Sequence, residues 1–358
     1  MKPINLLVDS FADEGLTNAQ MINAQEIVSR LNPDRFHVTM FVQGTPAPKI
    51  IGRQNTRLVR LPRRFQTPRI LARFLFGAQE ILFYLKASPA SRWFLKLHSL
   101  RPNGCATVAT IESQSDWRDQ TVSPATKNLI EQTILRCDYL FSNSSKVQQS
   151  LLENYGLRSE IVPTGVDVQA FAPSWDRPPN ARMRVLFVGA LREFKGPQVV
   201  LEAARRFPQA DFVLVGEGVM GEELRERSQL LPNVNLRGSL GRSAVHEEFG
   251  RADIFMFPSI WEGSPRVLME AAACGLPVIA RKDYEPESVV DGISGFLVGS
   301  DDEIMTRLAQ LLDDPNLRRR MGENGRSHMA RFSWDVITSH WETIFVRLAS
   351  KRRKAPLS

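Results

Sequence analysis

Short apolar runs alternate with amphipathic stretches along the whole chain. In the first half, NLLV (5–8), HVTMFV (37–42), RLVRL (57–61), TVATI (107–111), YLFS (139–142) and EIVP (160–163) read as buried strands. Helical periodicity runs between several of them, over 18–31, 68–85, 90–100, 124–135 and 146–154. A proline-rich stretch, AFAPSWDRPPNAR (170–182), interrupts the pattern and predicts a linker. The pattern then restarts, with RVLFVG, DFVLVG, NVNLRG, DIFMFP, LPVIA and GFLV as six further strands separated by helices. Strands and helices in alternation predict parallel sheets covered on both faces. The expected architecture is two similar α/β halves facing each other across a cleft, because ligands of open parallel sheets collect at the strands' carboxyl ends.

With 358 residues the chain has room for two such domains. Apolar residues make up 43% and charged residues 24%, which excludes disordered, collagen-like and disulfide-stapled classes. Cys105, Cys137 and Cys274 are far apart and without metal-ligand spacing, so they read as reduced thiols of a cytoplasmic protein. The opening MKPINLLVDS does not read as a signal peptide, and no run of about 18 uncharged apolar residues predicts a membrane span.

The net charge of +7 is concentrated in one segment. From Lys49 to Arg101 there are twelve cations and one acid, Glu80, a net +11 that leaves the rest of the chain at −4. These cations interleave with Phe65, Phe74, Phe76, Phe83, Tyr84, Trp93 and Phe94. Such a surface suits contact with an anionic membrane, although a solvated basic face over an aromatic core has the same composition. No nucleic-acid motif accompanies it, so nucleic acid is not expected as a partner.

The densest chemistry lies in FMFPSIWEGSPRVLMEAAACGLPVIA (255–280). A strand ends at Pro258, and a helix is expected to begin with Ser264 as N-cap and Pro265 at its first position, ending at Gly275. Free amides of Arg266, Val267 and Leu268 at the positive end of that helix make an anion site fit for a diphosphate. Glu262 and Glu270, eight residues apart, bracket it. A carboxylate only accepts hydrogen bonds, which suits the vicinal hydroxyls of a sugar or ribose.

This segment resembles the signature of retaining nucleotide-sugar glycosyltransferases of family 4, which have the two-Rossmann-domain GT-B fold. EIVPTGVDVQAFAP (160–173), FVGALREFKGPQVVLEA (187–203), VGEG (215–218), NVNLRG (233–238), PESVVDGISGFLV (286–298) and the final FSW…W helix are similar to family segments in order and spacing. The resemblance implies an acceptor-binding Rossmann-like domain over 1–170, a linker over 171–182, a nucleotide-sugar-binding Rossmann-like domain over 183–333, and a final helix over 334–358 that packs back on the N-terminal domain. It implies that Glu270 holds the ribose, Glu262 orients the donor sugar and Lys195 neutralises the diphosphate without a metal. Arg237, Gly238 and Leu240 would line the base; Gly15, Gly189, Gly263, Ser264, Arg266 and Val267 would complete the nucleotide-sugar site. No cofactor beyond the donor is implied.

The chain departs from the family at three places. The usual arginine of the phosphate loop is Ala190, with Arg192 two residues later as its substitute. The glycine pair before the P-E segment is Tyr284-Glu285, and the histidine that many members carry after the fifth strand is Glu112-Ser113. No catalytic base is named. Gly216, Gly218 and Gly221 spell the dinucleotide fingerprint G-x-G-x-x-G, but the acid expected about 20 positions on is absent, so a tight turn is the better reading. The five histidines are scattered, and Trp334 and Trp341, seven apart, read as core anchors. The expectation is a peripheral enzyme at the inner face of a membrane, acting on a glycan or lipid-linked acceptor. An idle GT-B subunit and a nucleotide-sugar epimerase are the rival readings.

Overall fold

Runs of unbroken apolar residues become central strands where both sheet faces are covered, and this holds in both halves of the chain. The computed structural model describes residues 2–15, 18–62, 64–97, 104–113, 123–173, 175, 176 and 178–353. They divide into two units, Met1–Thr164 with Trp334–Ser358, and Gly165–Ser333.

Unit 1 is built on β1 (Ile4–Phe11), β2 (Phe36–Val42), β3 (Thr56–Arg60), β4 (Ile81–Phe83), β5 (Ala106–Ile111), β6 (Tyr139–Ser142) and β7 (Glu160–Ile161). Their order is β3-β2-β1-β4-β5-β6-β7, all parallel. Helices α1 (Ala19–Arg30), α2 (Pro48–Ile51), α3 (Gln66–Phe76), α4 (Pro89–Leu97), α5 (Pro124–Glu131) and α6 (Ser145–Tyr155) connect them. Unit 2 holds β8 (Arg184–Val188), β9 (Asp211–Val215), β10 (Val234–Leu236), β11 (Ile254–Phe257), β12 (Val278–Arg281) and β13 (Gly295–Val298) in the order β10-β9-β8-β11-β12-β13. Its helices are α7 (Pro197–Arg206), α8 (Gly221–Ser228), α9 (Arg242–Arg251), α10 (Arg266–Ala273), α11 (Asp301–Asp313) and α12 (Pro315–Met329). Both are Rossmann-like parallel sheets, and the six strands expected in the second half are those observed.

Two expectations are corrected. The helix read over 68–85 is two elements: α3 stops at Phe76, Gly77 takes an extended conformation, and Ile81–Phe83 form β4 between β1 and β5. Three apolar residues are too few to break a helical period, yet all three are fully buried. The 171–182 linker and the 1–170 boundary also shift, because the chain joins unit 2 from Gly165. Val166 donates its amide to Phe332 O at 2.8 Å, Phe171 is buried against the rings of His246 and Phe249, and Arg326 donates to Phe171 O at 2.6 Å. Trp175 lies over Gly275, whose positive φ a larger residue would not adopt easily, with Arg319 4.3 Å above the indole.

The final helix, α13 (Trp334–Arg353), belongs to unit 1; residues 354–358 lie outside the described residues. Trp334, Ile337, Trp341, Ile344, Phe345 and Leu348 join one core with Ile4, Leu6, Val8, Phe83 and Phe141. The Trp341 ring meets Phe83 at 4.7 Å and Phe141 at 4.8 Å, both edge-on, the arrangement the ring quadrupoles favour. Trp341→Ala should therefore lower the unfolding free energy of unit 1 by about 3–5 kcal/mol in a urea titration. A loss below about 1 kcal/mol would show that the sheet does not depend on this anchor.

Candidate functional site

In unit 2 the loops leaving β8, β9 and β10 are laced together by backbone bonds. Gly189 donates to Val215 O at 3.0 Å, Leu191 to Glu217 O at 2.9 Å, Met220 to Leu191 O at 3.0 Å and Gly216 to Gly238 O at 2.9 Å. A Cβ at Gly216 would lie 1.9 Å from Gly189 O, and one at Gly218 2.4 Å from Leu191 O. The first two glycines of the dinucleotide-like spacing are thus required by the approach of a neighbouring loop, whereas a Cβ at Gly221 would meet nothing closer than 3.9 Å.

The lacing fixes the short 3-10 turn Glu193–Lys195 and Gly196, which has φ +73° and packs on Pro258. Ile260 donates its amide to Phe194 O at 2.9 Å, tying the loop after β11 to the same turn. As a result Lys195 Nζ donates to Glu262 Oε1, and Ser259 Oγ donates to the same oxygen at 2.7 Å. The ammonium also lies 5.3 Å from the Phe194 ring centroid and 5.6 Å from that of Phe257. The structure thus brings together Lys195 and Glu262, 67 positions apart in sequence.

Helix α10 starts one residue later than expected. Pro265 is its N-cap, with no side-chain cap bond, and the Leu268 amide donates to Pro265 O at 3.1 Å. Proline at the cap leaves Ser264 outside the helix, so the expected serine cap is not made, and Leu268 is not among the free amides. Glu270 is buried in the second turn and accepts from Arg266 at 3.3 Å. Gly263 is buried; Ser264 and Val267 are half-buried beside it. Arg192 is exposed at the start of the 3-10 turn. Arg237 is exposed and pairs with Glu248 at 3.4 Å, Gly238 has φ +65°, and Leu240 packs on the unit 2 core.

The resemblance marked Tyr284 as a departure from the family's glycine pair and not as a site residue. It is fully buried, and its hydroxyl has no hydrogen-bond partner. Burial pushes its pKa well above the usual value, and the charges of Glu262 and Asp283 push it further. The Glu262 charge thus reaches this buried ring.

Unit 1 carries a second polar group at the carboxyl ends of β1, β4 and β5. Gly15, in the turn after β1, has φ +73° with nothing near a Cβ, so conformation and not crowding selects glycine there. Tyr84 takes a left-handed conformation, φ +60°, and its hydroxyl donates to Glu112 Oε1 at 2.7 Å. Asn23 Nδ2 donates to Glu112 Oε2 at 3.1 Å, and Lys86 N to Asp9 Oδ2 at 3.0 Å. Ser10 Oγ, Asn23 Oδ1, Asn143 Oδ1 and Lys86 Nζ are buried without a hydrogen-bond partner among the described residues. Burial lowers the Lys86 pKa, opposed by the charges of Asp9 and Glu112. The signal for this cluster was present: three apolar strands each run into a charged residue, Asp9, Lys86 or Glu112.

Residues 176–328 match the family model described as glycosyl transferases group 1. Curated relatives include the D-inositol 3-phosphate glycosyltransferases of Corynebacterium jeikeium, 34% identical over 64% of this chain and 62% of the relative, and of Corynebacterium glutamicum, 30% identical over 67% and 64%. The chain spans less than two thirds of the length of these relatives. Among solved structures, a sucrose-phosphate synthase from Thermosynechococcus elongatus superposes with TM-score 0.79 at 21% identity, covering 98% of this chain and all of that one. Anabaena HepE in complex with UDP superposes at 0.75 with 17% identity, covering 96% of this chain and 100% of that one. These likenesses give the fold, which is GT-B.

The unit 1 cluster has a measurable titration. Burial raises the Asp9 carboxyl from 3.8 to about 6, outweighing the nearby Lys86 charge and the Lys86 amide. A carboxyl that holds its proton more tightly when folded contributes stability in full below about pH 4, and that stability is lost as the pH rises through about 6. Asp9→Asn removes this titration. Its unfolding free energy relative to wild type should therefore rise by up to about 3 kcal/mol between about pH 4 and pH 7. A difference that stays constant with pH would show that Asp9 does not titrate in this window.

Proposed function

Since residues 176–328 match the model of the glycosyl transferases group 1 family, we propose that the protein is a retaining glycosyltransferase. It moves a sugar from a nucleoside diphosphate sugar to an acceptor hydroxyl without a metal ion. The observation that supports this most directly is the Lys195–Glu262 pair, held by Ser259 and next to the amino end of α10. Unit 2 takes the nucleotide: Glu270 accepts the ribose hydroxyls, and the Arg266 and Val267 amides face the diphosphate. Glu262 orients the sugar. As the bond from the anomeric carbon to the diphosphate breaks, negative charge grows on the departing oxygen, and Lys195 stabilises it there. Retention implies that the acceptor oxygen bonds to the same face of the anomeric carbon.

The acceptor belongs to unit 1 on this reading. Its polar cluster of Asp9, Lys86 and Glu112 suits a polyhydroxylated molecule. A glycan or lipid-linked acceptor at a membrane surface is supported by the sides of α3 and α4 that face water. Phe65 and Phe76 are 81% and 86% exposed, and Lys96 lies 5.4 Å over the ring of half-exposed Trp93. Arg64 and Arg69 flank these rings in sequence; Arg63 and Arg101 lie outside the described residues. Among the described residues no helix is long and apolar enough to cross a membrane, so contact would be peripheral. A soluble phosphorylated polyol is the second reading, favoured by the relatives' name, which gives D-inositol 3-phosphate, and by the Lys86 ammonium, which has no hydrogen-bond partner among the described residues.

Steady-state kinetics on a panel of nucleotide sugars tests the donor reading. Glu270→Ala should raise the donor KM about tenfold or more, the scale of a lost hydrogen bond to a charged group. Lys195→Ala should lower kcat by about a hundredfold or more. Unchanged values in both variants would remove the pair from the donor site.

Reversing the charges of Arg60, Arg63 and Arg64 should release the protein from anionic vesicles in a sedimentation assay. At about 1 kcal/mol per cation the partition should fall by more than a hundredfold. Sedimentation equal to wild type would sink the membrane assignment.

A further inference from the structure

One face of the unit 1 sheet changes character along its strands. Toward the carboxyl ends Leu7, Phe41 and Leu61 pack beneath α3 and α4, where Phe74 meets the rings of Phe41 at 6.3 Å and Phe94 at 5.4 Å. In the strand register Asn5 lies opposite His37, Leu7 opposite Thr39, and Thr39 opposite Arg57. Strand alternation therefore puts Asn5, His37, Thr39 and Arg57 on the same face as that apolar core, nearer the amino ends. Four polar residues in a row on a core face are costly to cover, and α3 does not cover them.

Instead they line a pocket of about 380 Å³, closed on its other side by Arg73 in the last turn of α3 and by Gln79. Gln79 is already committed: its Nε2 donates to Phe74 O at 2.8 Å. Glu80, beside Asn5 in the sheet, accepts the Asn5 amide at 3.2 Å. No acid is among the lining residues, and neither Arg57 nor Arg73 forms an ion pair with a described residue. The two guanidinium groups feel each other: burial lowers the Arg73 pKa, and the Arg57 charge lowers it further. Two unpaired like charges held at one half-enclosed notch repel unless an anion comes between them.

We infer that this notch is a phosphate-binding site, in which Arg57 and Arg73 grip a phosphate ester above His37 and Thr39. Guanidinium forks match phosphate oxygens in pairs, which a point-charge cation does not. The volume exceeds that of a bare phosphate and leaves room for the esterified group. The ester is carried either by a small metabolite or by a lipid headgroup; Phe76, exposed three residues beyond Arg73, stands where an acyl chain could meet it. The site is distinct from the Asp9–Lys86 cluster, because Asp9 lies four positions beyond Asn5 on β1, about 13 Å along the strand. It does not depend on the transfer reaction proposed above.

The test reads His37 directly, by the NMR shift of its imidazole in the full chain, identified by its loss in His37→Gln. Titrations use inorganic phosphate, glycerol 3-phosphate, and dihexanoyl phosphatidylglycerol below its micelle concentration, at constant ionic strength. A saturable shift is expected, at least about tenfold weaker in affinity in Arg57→Gln/Arg73→Gln, the scale of one charge-assisted hydrogen bond. Lys195→Ala, in unit 2, should leave it as in wild type. Arg57→Gln alone, at an exposed position, should weaken it several-fold and guards against misfolding of the double variant. A response to the soluble phosphates assigns the site to a metabolite; a response to the lipid alone assigns it to a headgroup. No saturable response to any of the three, or an equal one in the arginine variants, overturns the proposal.

Discussion

The functional end of unit 2 depends on how closely three loops can approach one another. Gly189 O occupies the space a side chain at Gly216 would need, and Leu191 O does the same at Gly218. Only glycine permits both approaches, and the four amide bonds across these loops follow from them. Gly196 extends the constraint to Pro258, so the turn carrying Lys195 is pressed against the strand end that leads to Glu262. An ion pair across 67 residues is therefore positioned by backbone, with little left to side-chain freedom. Holding the lysine in place beforehand lowers the entropy lost when a ligand binds.

Unit 1 distributes polarity differently. Its carboxyl ends gather buried Asp9 with half-buried Lys86 and Glu112, and four buried polar atoms there have no hydrogen-bond partner among the described residues, which a purely structural core would not tolerate. Its amino ends carry a polar strip on a face that elsewhere is core. The sheet between is closed by α13, whose aromatic residues arrive from the end of the chain and pack edge-on against β4 and β6. The core therefore forms from contacts far apart in sequence, and the polar rims lie outside it.

Much of this was legible in the sequence because parallel strands leave unbroken apolar runs. All six runs of unit 2 are strands, and Trp334 and Trp341 are buried as their spacing implied. What escaped did so for local reasons. β4 has three residues, too few to interrupt a helical period. The 171–182 stretch looks like a linker by its prolines, but Phe171 and Trp175 find partners on α9, α12 and Gly275. Pro265 takes the cap position itself, which moved the helix start and left Ser264 outside. Tyr284 was marked only as a departure from the family's glycine pair, because its burial and the reach of the Glu262 charge depend on tertiary packing.

On the proposed reading, the existing Lys195–Glu262 bond determines where the lysine acts. A lysine already paired with a carboxylate and lying between two aromatic rings has its charge largely answered before any diphosphate arrives. Binding the ground-state donor then exchanges one ion pair for another, and the net gain is small. When the glycosidic bond breaks, the departing oxygen acquires charge that Glu262 cannot match, and the ammonium gains more from it than from its former partner. An interaction that strengthens only as the bond breaks lowers the barrier without tightening substrate binding. The exchange made on donor binding frees Glu262 to accept the sugar hydroxyls it is placed to orient. Pairing the two residues beforehand is therefore a way of directing the lysine toward the transition state.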